Sequence, residues 1–145
     1  MEVAIYTDGA SRGNPGNAGI GVIIYDSDGQ VLKEDNEAIG IATNNVAEYK
    51  AVIRGLELAL ELKAVSVKVY ADSQLLVRQL SGEYRVKNEG LKPLYDKVKE
   101  LSRNFSSFAA IHIPREQNKE ADKLANIALD RWSEVVSQKP EKESG

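Results

Sequence analysis

The hydrophobic period of the chain changes at Asn44, and this change restricts the available folds more than any other feature. Before it stand three β-prone runs: Val3, Ile5 and Tyr6; the continuous stretch Gly19-Ile-Gly-Val-Ile-Ile-Tyr25; and apolar residues from Val31 toward Ile39 and Ile41. The pair Asp28-Gly29 between the second and third runs is a strong hairpin signal. From Asn44 to Leu62, by contrast, Ala51, Val52, Gly55, Leu58, Ala59 and Leu62 recur at three- and four-residue spacing, as one face of a helix does. Val65 to Ala71 alternates like a strand, and helical spacing returns over Ser73–Leu80 and Leu91–Leu101. Phe108 to Ile113 predicts a last strand and Asn118 to Val136 a last helix. The order β-β-β-α-β-α-α-β-α, hairpins first and helical crossovers later, predicts an α/β fold with a mixed sheet. In this reading the first strand ends at Asp8-Gly9, and the segment ASRGNPGNAG after it is a loop.

A chain of 145 residues suits one core of ordinary size. The domain is expected to span residues 1–137, with a polar, disordered tail over 138–145. No run of eighteen apolar residues and no basic start followed by an apolar region occurs, so neither a membrane span nor a signal peptide is expected, and the cytoplasm is the default location. A monomer is expected. With no cysteine, a disulfide scaffold, a thiolate zinc site and a cysteine nucleophile are excluded. The stretch GNPGNAGIG lacks Gly-Lys-Ser/Thr and leads into a strand, so it is neither a phosphate-binding loop nor a dinucleotide fingerprint. Asp26-Ser-Asp-Gly29 lacks the other ligands of a calcium loop and fits a hairpin turn.

Four carboxylates stand at informative places. Asp8 follows the first strand, where an ordinary turn aspartate is an equal explanation. Glu48 falls on the helix face that should meet the sheet, where a carboxylate needs a partner or a metal; a capping box with Asn45 as N-cap is the alternative. Asp72 follows the strand Val65–Ala71, which should run parallel to the first strand and bring Asp72 beside Asp8; capping of the next helix explains it equally. Asp122 borders an apolar face of Ala121, Ala125, Ala128, Leu129 and Trp132, and a first-turn aspartate favoured by the helix dipole is the simpler account. Four carboxylates in proximity are tolerated only with cations between them. All-oxygen ligation suits Mg²⁺ or Mn²⁺, and the natural chemistry is phosphodiester cleavage by paired ions roughly 4 Å apart.

These residues lie in four segments: TDGASRGNPGNAGIGVII (Thr7–Ile24), TNNVAEYKAVIRGLELA (Thr43–Ala59), ADSQLLVRQL (Ala71–Leu80) and REQNKEADKLAN (Arg115–Asn126). Together, in this order, they resemble ribonuclease H of type 1 over nearly the whole chain. The resemblance implies a ribonuclease H-like fold: a mixed five-stranded sheet, three antiparallel strands then two parallel, flanked by helices. It implies endonucleolytic hydrolysis of the RNA strand of RNA–DNA hybrids with two metal ions, leaving 5′-phosphate and 3′-hydroxyl ends. The family's catalytic and metal-binding carboxylates fall on Asp8, Glu48, Asp72 and Asp122. Its substrate contacts fall on Ser11, Arg12 and Asn14, with Gln74, around the RNA 2′-hydroxyls, and on Thr43, Asn44 and Asn45 on the DNA side. Close approach of short polar groups is what recognition of a 2′-hydroxyl requires, and Gly9, Gly13 and Gly16 are expected to leave room for it.

Two departures from the family pattern stand out. Many members carry a histidine in a loop before the last aspartate; here His112 lies in a strand-like Ala-Ile-His-Ile-Pro, so Arg115, with Asn118, is the better-placed auxiliary residue. Residues 81–93 are shorter and less basic than the long basic helix and loop of some members, leaving Tyr84, Arg85, Lys87 and Lys92 for hybrid contact or for a plain solvated connection. A silent binding module of the same fold and a DNA-only nuclease are the competing functions; clustered carboxylates argue against the first, and Asn14 and Gln74 against the second.

Charge enters last. A net charge of -3 and a pI near 5.3 argue against a polyanionic partner. The distribution is uneven: residues 1–61 carry 4 basic and 10 acidic side chains, residues 78–103 carry 7 and 4. Two bound divalent ions would bring -3 to about +1 with all four carboxylates ionised. Hybrid engagement is thus expected to depend on metal occupancy and on segment 78–103.

Overall fold

A computed structural model describes residues 1–138. Five strands form one sheet: β1 (Glu2–Arg12), β2 (Gly16–Tyr25), β3 (Val31–Ala42), β4 (Ser66–Ala71) and β5 (Ser107–His112), in the order β3-β2-β1-β4-β5. The pairs β1–β2 and β2–β3 are antiparallel, whereas β1–β4 and β4–β5 are parallel. The helices are α1 (Asn44–Glu61), α2 (Gln74–Leu80), α3 (Lys92–Ser102) and α4 (Lys119–Gln138), with one 3₁₀ turn over Arg115–Gln117. The mixed sheet and the order of elements are those expected. Of the expected tail, all but Gln138 lies outside the described residues.

The continuous apolar run of β2 is explained by burial on both faces. Val22 faces α1, where Gly55 lets the helix descend onto Ile5 and Val22. Gly19 and Gly21 face α4: a Cβ on Gly21 would lie 2.1 Å from the Ala121 carbonyl oxygen. Ala121 and Ala125 are fully buried there, so glycine meets alanine and α4 rests almost on the strand backbone. On the α1 side, Val3, Ile5, Val22, Ile24, Val52, Leu56, Val67, Val69 and Val98 form the main core. The β2–β3 hairpin turn is held by Asp26, whose Oδ1 accepts from the amides of Asp28 and Gln30, each at 2.9 Å. That carboxylate is committed to the turn, as the hairpin reading expects.

The largest boundary difference lies at the β1–β2 turn. β1 does not stop at Asp8-Gly9 but runs on to Arg12, because pairing with β2 continues through Ser11↔Ala18 and Arg12↔Asn17. A glycine-rich text signals a loop, yet here the backbone partners come from the neighbouring strand and the small residues answer to packing. Only Gly13, at φ +122, Asn14 and Pro15 form the turn.

Candidate active site

The parallel pairing of β1 with β4 ends at Tyr6↔Tyr70. Two residues on, where the strands part, Asp8 and Asp72 stand on either side of the opening, and Glu48 reaches it from the first turns of α1. One carboxylate oxygen from each of Asp8, Glu48 and Asp72 lies within 4.8 Å of the others. The close approach of α4 to Gly21, which is the β2 partner of Asp8, sets Asp122 beside this trio, hydrogen-bonded to Asp8. The side chain of Asp122 is 33% exposed, and Arg115 Nη2 lies 4.0 Å from its Oδ1.

Both capping alternatives fail, the cap standing two positions before Asn45 in one case and one position after Asp72 in the other. The N-cap of α1 is Thr43, whose hydroxyl accepts from Val46 N at 3.2 Å, so neither Asn45 nor Glu48 is a capping residue. The N-cap of α2 is Ser73, which accepts from Leu76 N at 3.2 Å and releases Asp72 from that duty.

Burial and like charge set the protonation of the cluster. Asp8, 9% exposed, is pushed up to about 8, first by burial, then by its hydrogen bond with Asp122 and by the charges of Asp72, Asp122 and Glu48. Glu48 is pushed up to about 7 by burial and Asp72, against a hydrogen bond from Ser73 that favours its charged form. Without metal, the site therefore holds protons at neutral pH.

Both groups bind protons more tightly folded than unfolded, so their contribution is complete below about pH 4 and is lost as pH rises, from the ordinary 3.8 to about 8 for Asp8 and from 4.5 to about 7 for Glu48. Inside those windows each group costs about 1.4 kcal/mol per pH unit. Chelator-treated protein is expected to melt at falling temperature from pH 4.5 to 8, more steeply than an Asp8→Asn, Glu48→Gln double variant. Equal slopes in the two proteins contradict it.

Asn118 is the residue whose role the sequence left least defined. It is 1% exposed, and its Nδ2 donates to the Thr7 carbonyl at 2.9 Å and to Asp72 Oδ2 at 2.8 Å, tying the carboxylate on β4 to the backbone of β1. Sequence reasoning passed over Ser73, which supports Glu48, and Asn126, which contacts Asp122. Both stand inside the quoted segments, next to or one helical turn from a marked carboxylate, and that spacing is the signal that could have found them.

The residues expected at the substrate fall into two groups. Asn45 and Gln74 are exposed, with no side-chain hydrogen bond to other described residues. Ser11, Asn14, Thr43 and Asn44 are engaged within the chain: Ser11 Oγ donates to the Ala42 carbonyl at 2.7 Å, Asn44 Oδ1 accepts from Ser11 N at 2.9 Å, and Asn14 Oδ1 accepts from Asn44 N at 3.0 Å. These bonds dock the β1–β2 turn on the start of α1. Arg12 turns away to α4, pairing with Asp130 at 2.7 Å. Gly9 and Gly16 are filled by the protein itself: a Cβ on Gly9 would lie 2.3 Å from the Ala47 carbonyl carbon, and one on Gly16 2.1 Å from the Arg12 carbonyl oxygen. His112 closes β5 in register with Ala71, a strand residue as expected. In segment 81–93, Tyr84 is hydrogen-bonded to Arg78, whose guanidinium lies 5.2 Å from the ring centroid.

The donor set fits hard divalent cations: all oxygens, three converging and a fourth adjacent. No described helix is long and apolar enough to cross a membrane.

Comparison with known proteins agrees with this fold. A family model described as reverse transcriptase-like matches residues 6–128. The chain is 46% identical over 131 residues to the bifunctional protein Rv2228c of Mycobacterium tuberculosis, covering 90% of this chain but 36% of that relative's length. Among solved structures, it is similar to RNase H1 of Halobacterium salinarum, with 40% identity, a TM-score of 0.88 and coverage of 90% of this chain and 99% of that one. It is also similar to LC11-RNase H1 in complex with an RNA/DNA hybrid, with 45% identity, a TM-score of 0.84 and coverage of 89% and 97%.

Proposed function

The chain belongs to the ribonuclease H family, and from that footing we propose that it hydrolyses the RNA strand of RNA–DNA hybrids, leaving 5′-phosphate and 3′-hydroxyl ends. The observation that carries this reading is the meeting of Asp8, Glu48 and Asp72 within 4.8 Å, with Asp122 bonded to Asp8. A fold can host unrelated functions, so the site must bear the argument. A cluster of carboxylates kept together at the cost of raised proton affinity is suited to holding cations that act on a phosphate backbone.

In this mechanism Asp8, Glu48, Asp72 and Asp122 would hold two divalent ions, Mg²⁺ or Mn²⁺. Bound there, the ions supply a water nucleophile at neutral pH and stabilise charge on the leaving oxygen. The chain's own residues do the rest. Loading requires Asp8 and Glu48 to give up their protons, so affinity rises with pH. Asn118 keeps Asp72 pinned to β1, and Ser73 favours the charged form of Glu48. Gln74, exposed at the start of α2, would meet RNA 2′-hydroxyls, and Asn45, exposed on α1, would meet the DNA strand. The pairs among Ser11, Asn14 and Asn44 present the backbone of the β1–β2 turn as a fixed surface. Arg115, 81% exposed and 4.0 Å from Asp122, would exchange that pairing for the scissile phosphate.

The LC11 enzyme's complex with a hybrid supports this choice of substrate. The test is incubation of the protein with labelled hybrid, double-stranded RNA and double-stranded DNA, with Mg²⁺, Mn²⁺ or chelator. Cutting of the RNA strand of the hybrid is expected with either ion and not with chelator. A protein that leaves the hybrid intact with both ions sinks the proposal, and cutting of duplex RNA as well would widen the substrate class.

A further inference from the structure

Asp122 differs from the other three carboxylates in lying outside the tight trio and in being one-third exposed. Beyond Asp8 itself and the more distant Arg115, one further side chain holds it in place. One helical turn further along α4, Asn126 donates from Nδ2 to Asp122 Oδ1 at 3.3 Å and to the Asp122 carbonyl at 3.0 Å. Its Oδ1 accepts from Arg12 Nη2 at 3.2 Å, and the same Nη2 pairs with Asp130 Oδ1 at 2.7 Å. Positions 122, 126 and 130 are spaced by four, so they form one stripe along the helix, and that stripe faces the end of the β1–β2 hairpin, where Arg12 pairs with Asn17.

The polarity of this chain of contacts has one solution. A guanidinium carries donors only, and an ionised carboxylate acceptors only. Between them the amide of Asn126 must turn its oxygen to Arg12 and its nitrogen to Asp122; a flipped amide would set oxygen against carboxylate and donor against donor. Arg12 and the Asp122 carbonyl together fix the amide, and the amide steadies the Asp122 carboxylate. Asp130 holds Arg12 where it can do so.

We propose that Asn126 is a positioning residue for Asp122 and that Arg12 acts on the site through it, so that the β1–β2 turn and the fourth carboxylate move as one unit. This rests on the proposed hybrid cleavage and gives Arg12 a role other than direct contact with the RNA. Partners that orient a metal-binding side chain are typically worth 10- to 100-fold in metal affinity or activity. The pair is also partly exposed, which places the expected loss at the lower end.

A double-mutant cycle tests it: native protein, Arg12→Ala, Asn126→Ala and the double variant, compared for kcat and KM on hybrid and for the Mg²⁺ concentration at half-maximal rate. Each single variant is expected to lose about tenfold in kcat and to need several-fold more Mg²⁺, with KM within about twofold. The double is expected to fall no more than about twofold below the worse single, since both act through one contact. Arg12→Lys, which keeps the positive charge and a donor nitrogen but not the planar fork, should restore part of the loss. In the NMR spectrum of protein without hybrid, the side-chain amide signal of Asn126 should move on Arg12→Ala. Losses that multiply to about a hundredfold, a loss confined to KM, or an amide signal indifferent to Arg12→Ala overturns the proposal. If Asn126→Ala does not fold, Asn126→Gln, which displaces the amide by one methylene, takes its place in the cycle. If native protein does not cut hybrid, the proposed function fails by itself; the amide signal and Mn²⁺ titration calorimetry without substrate then decide this inference, with an affinity reduced in both singles and no further in the double supporting it, and an unchanged affinity refuting it.

Discussion

Asp8→Asn is expected to lower hybrid cleavage by about three orders of magnitude, or ~4 kcal/mol of barrier, while raising the melting temperature of the metal-free protein at neutral pH. The two effects have one origin. Asp8 is the most buried of the four carboxylates and touches the other three through charge or a hydrogen bond. It is therefore the group whose charge is hardest to hold without a cation and hardest to replace when a cation is wanted. An amide has nearly the same shape and can still bond Asp122, but it brings no charge to a metal and takes up no proton on folding. Since the unfolded chain releases the Asp8 proton near its ordinary 3.8 and the folded one near 8, folding at pH 7.5 carries a proton-uptake cost that the variant lacks. A gain of about 5 °C or more in melting temperature is expected in chelator, shrinking when Mg²⁺ is added, because native protein is stabilised by the ion and the variant is not. Single-turnover cleavage and thermal melts with and without Mg²⁺ measure both. A variant that cuts within tenfold of native, or that melts lower in chelator, would falsify this account of the site.

The same residues show how far the sequence could be followed. The order of elements, the mixed sheet and the meeting of Asp8 with Asp72 follow from a change of hydrophobic period and one crossover rule, because long periodic segments have few ways to bury their faces. Offsets of one or two residues were beyond that reasoning. Whether Glu48 and Asp72 are caps or site residues turns on Thr43, two positions before Asn45, and Ser73, one position after Asp72, and periodicity does not resolve shifts so small. Asn118 lay further out of reach: its acceptors, Asp72 and Thr7, are 46 and 111 residues away, and only the closed fold brings them together. Arg12 shows a different limit. A motif carried from a family assigns it to substrate, and the partners that hold it within the chain belong to α4, 114 and 118 residues on, where no local pattern points. The glycine-rich segment misled for a related reason: small residues are demanded equally by a loop, by a ligand and by a neighbouring backbone, and the text alone does not say which.

Gly9 separates those demands. Gly9→Ala is expected to destabilise the protein by about 3 kcal/mol or more, at the upper end for an overpacked site. The added Cβ would lie 2.3 Å from the Ala47 carbonyl carbon and 2.4 Å from both the Ala47 oxygen and the Glu48 nitrogen. These are backbone atoms of α1, so no rotamer change relieves the clash; strand and helix must part. Glu48 rides on the helix and Asp8 on the strand, so parting them also opens the carboxylate cluster, and the variant should bind Mn²⁺ more weakly in calorimetry even where it still folds. Gly29→Ala is the comparison. Its φ of +81 is unfavourable for alanine, but nothing lies within 4 Å of the new Cβ, so the cost should stay near 1 kcal/mol, with metal affinity unchanged. Urea denaturation orders the two: a Gly9→Ala midpoint at or above that of Gly29→Ala would mean that β1 and α1 are not in backbone contact. The glycine would then be free for substrate, as the sequence suggested. A large loss in Gly9→Ala alone assigns it instead to the contact that brings Asp8 and Glu48 together.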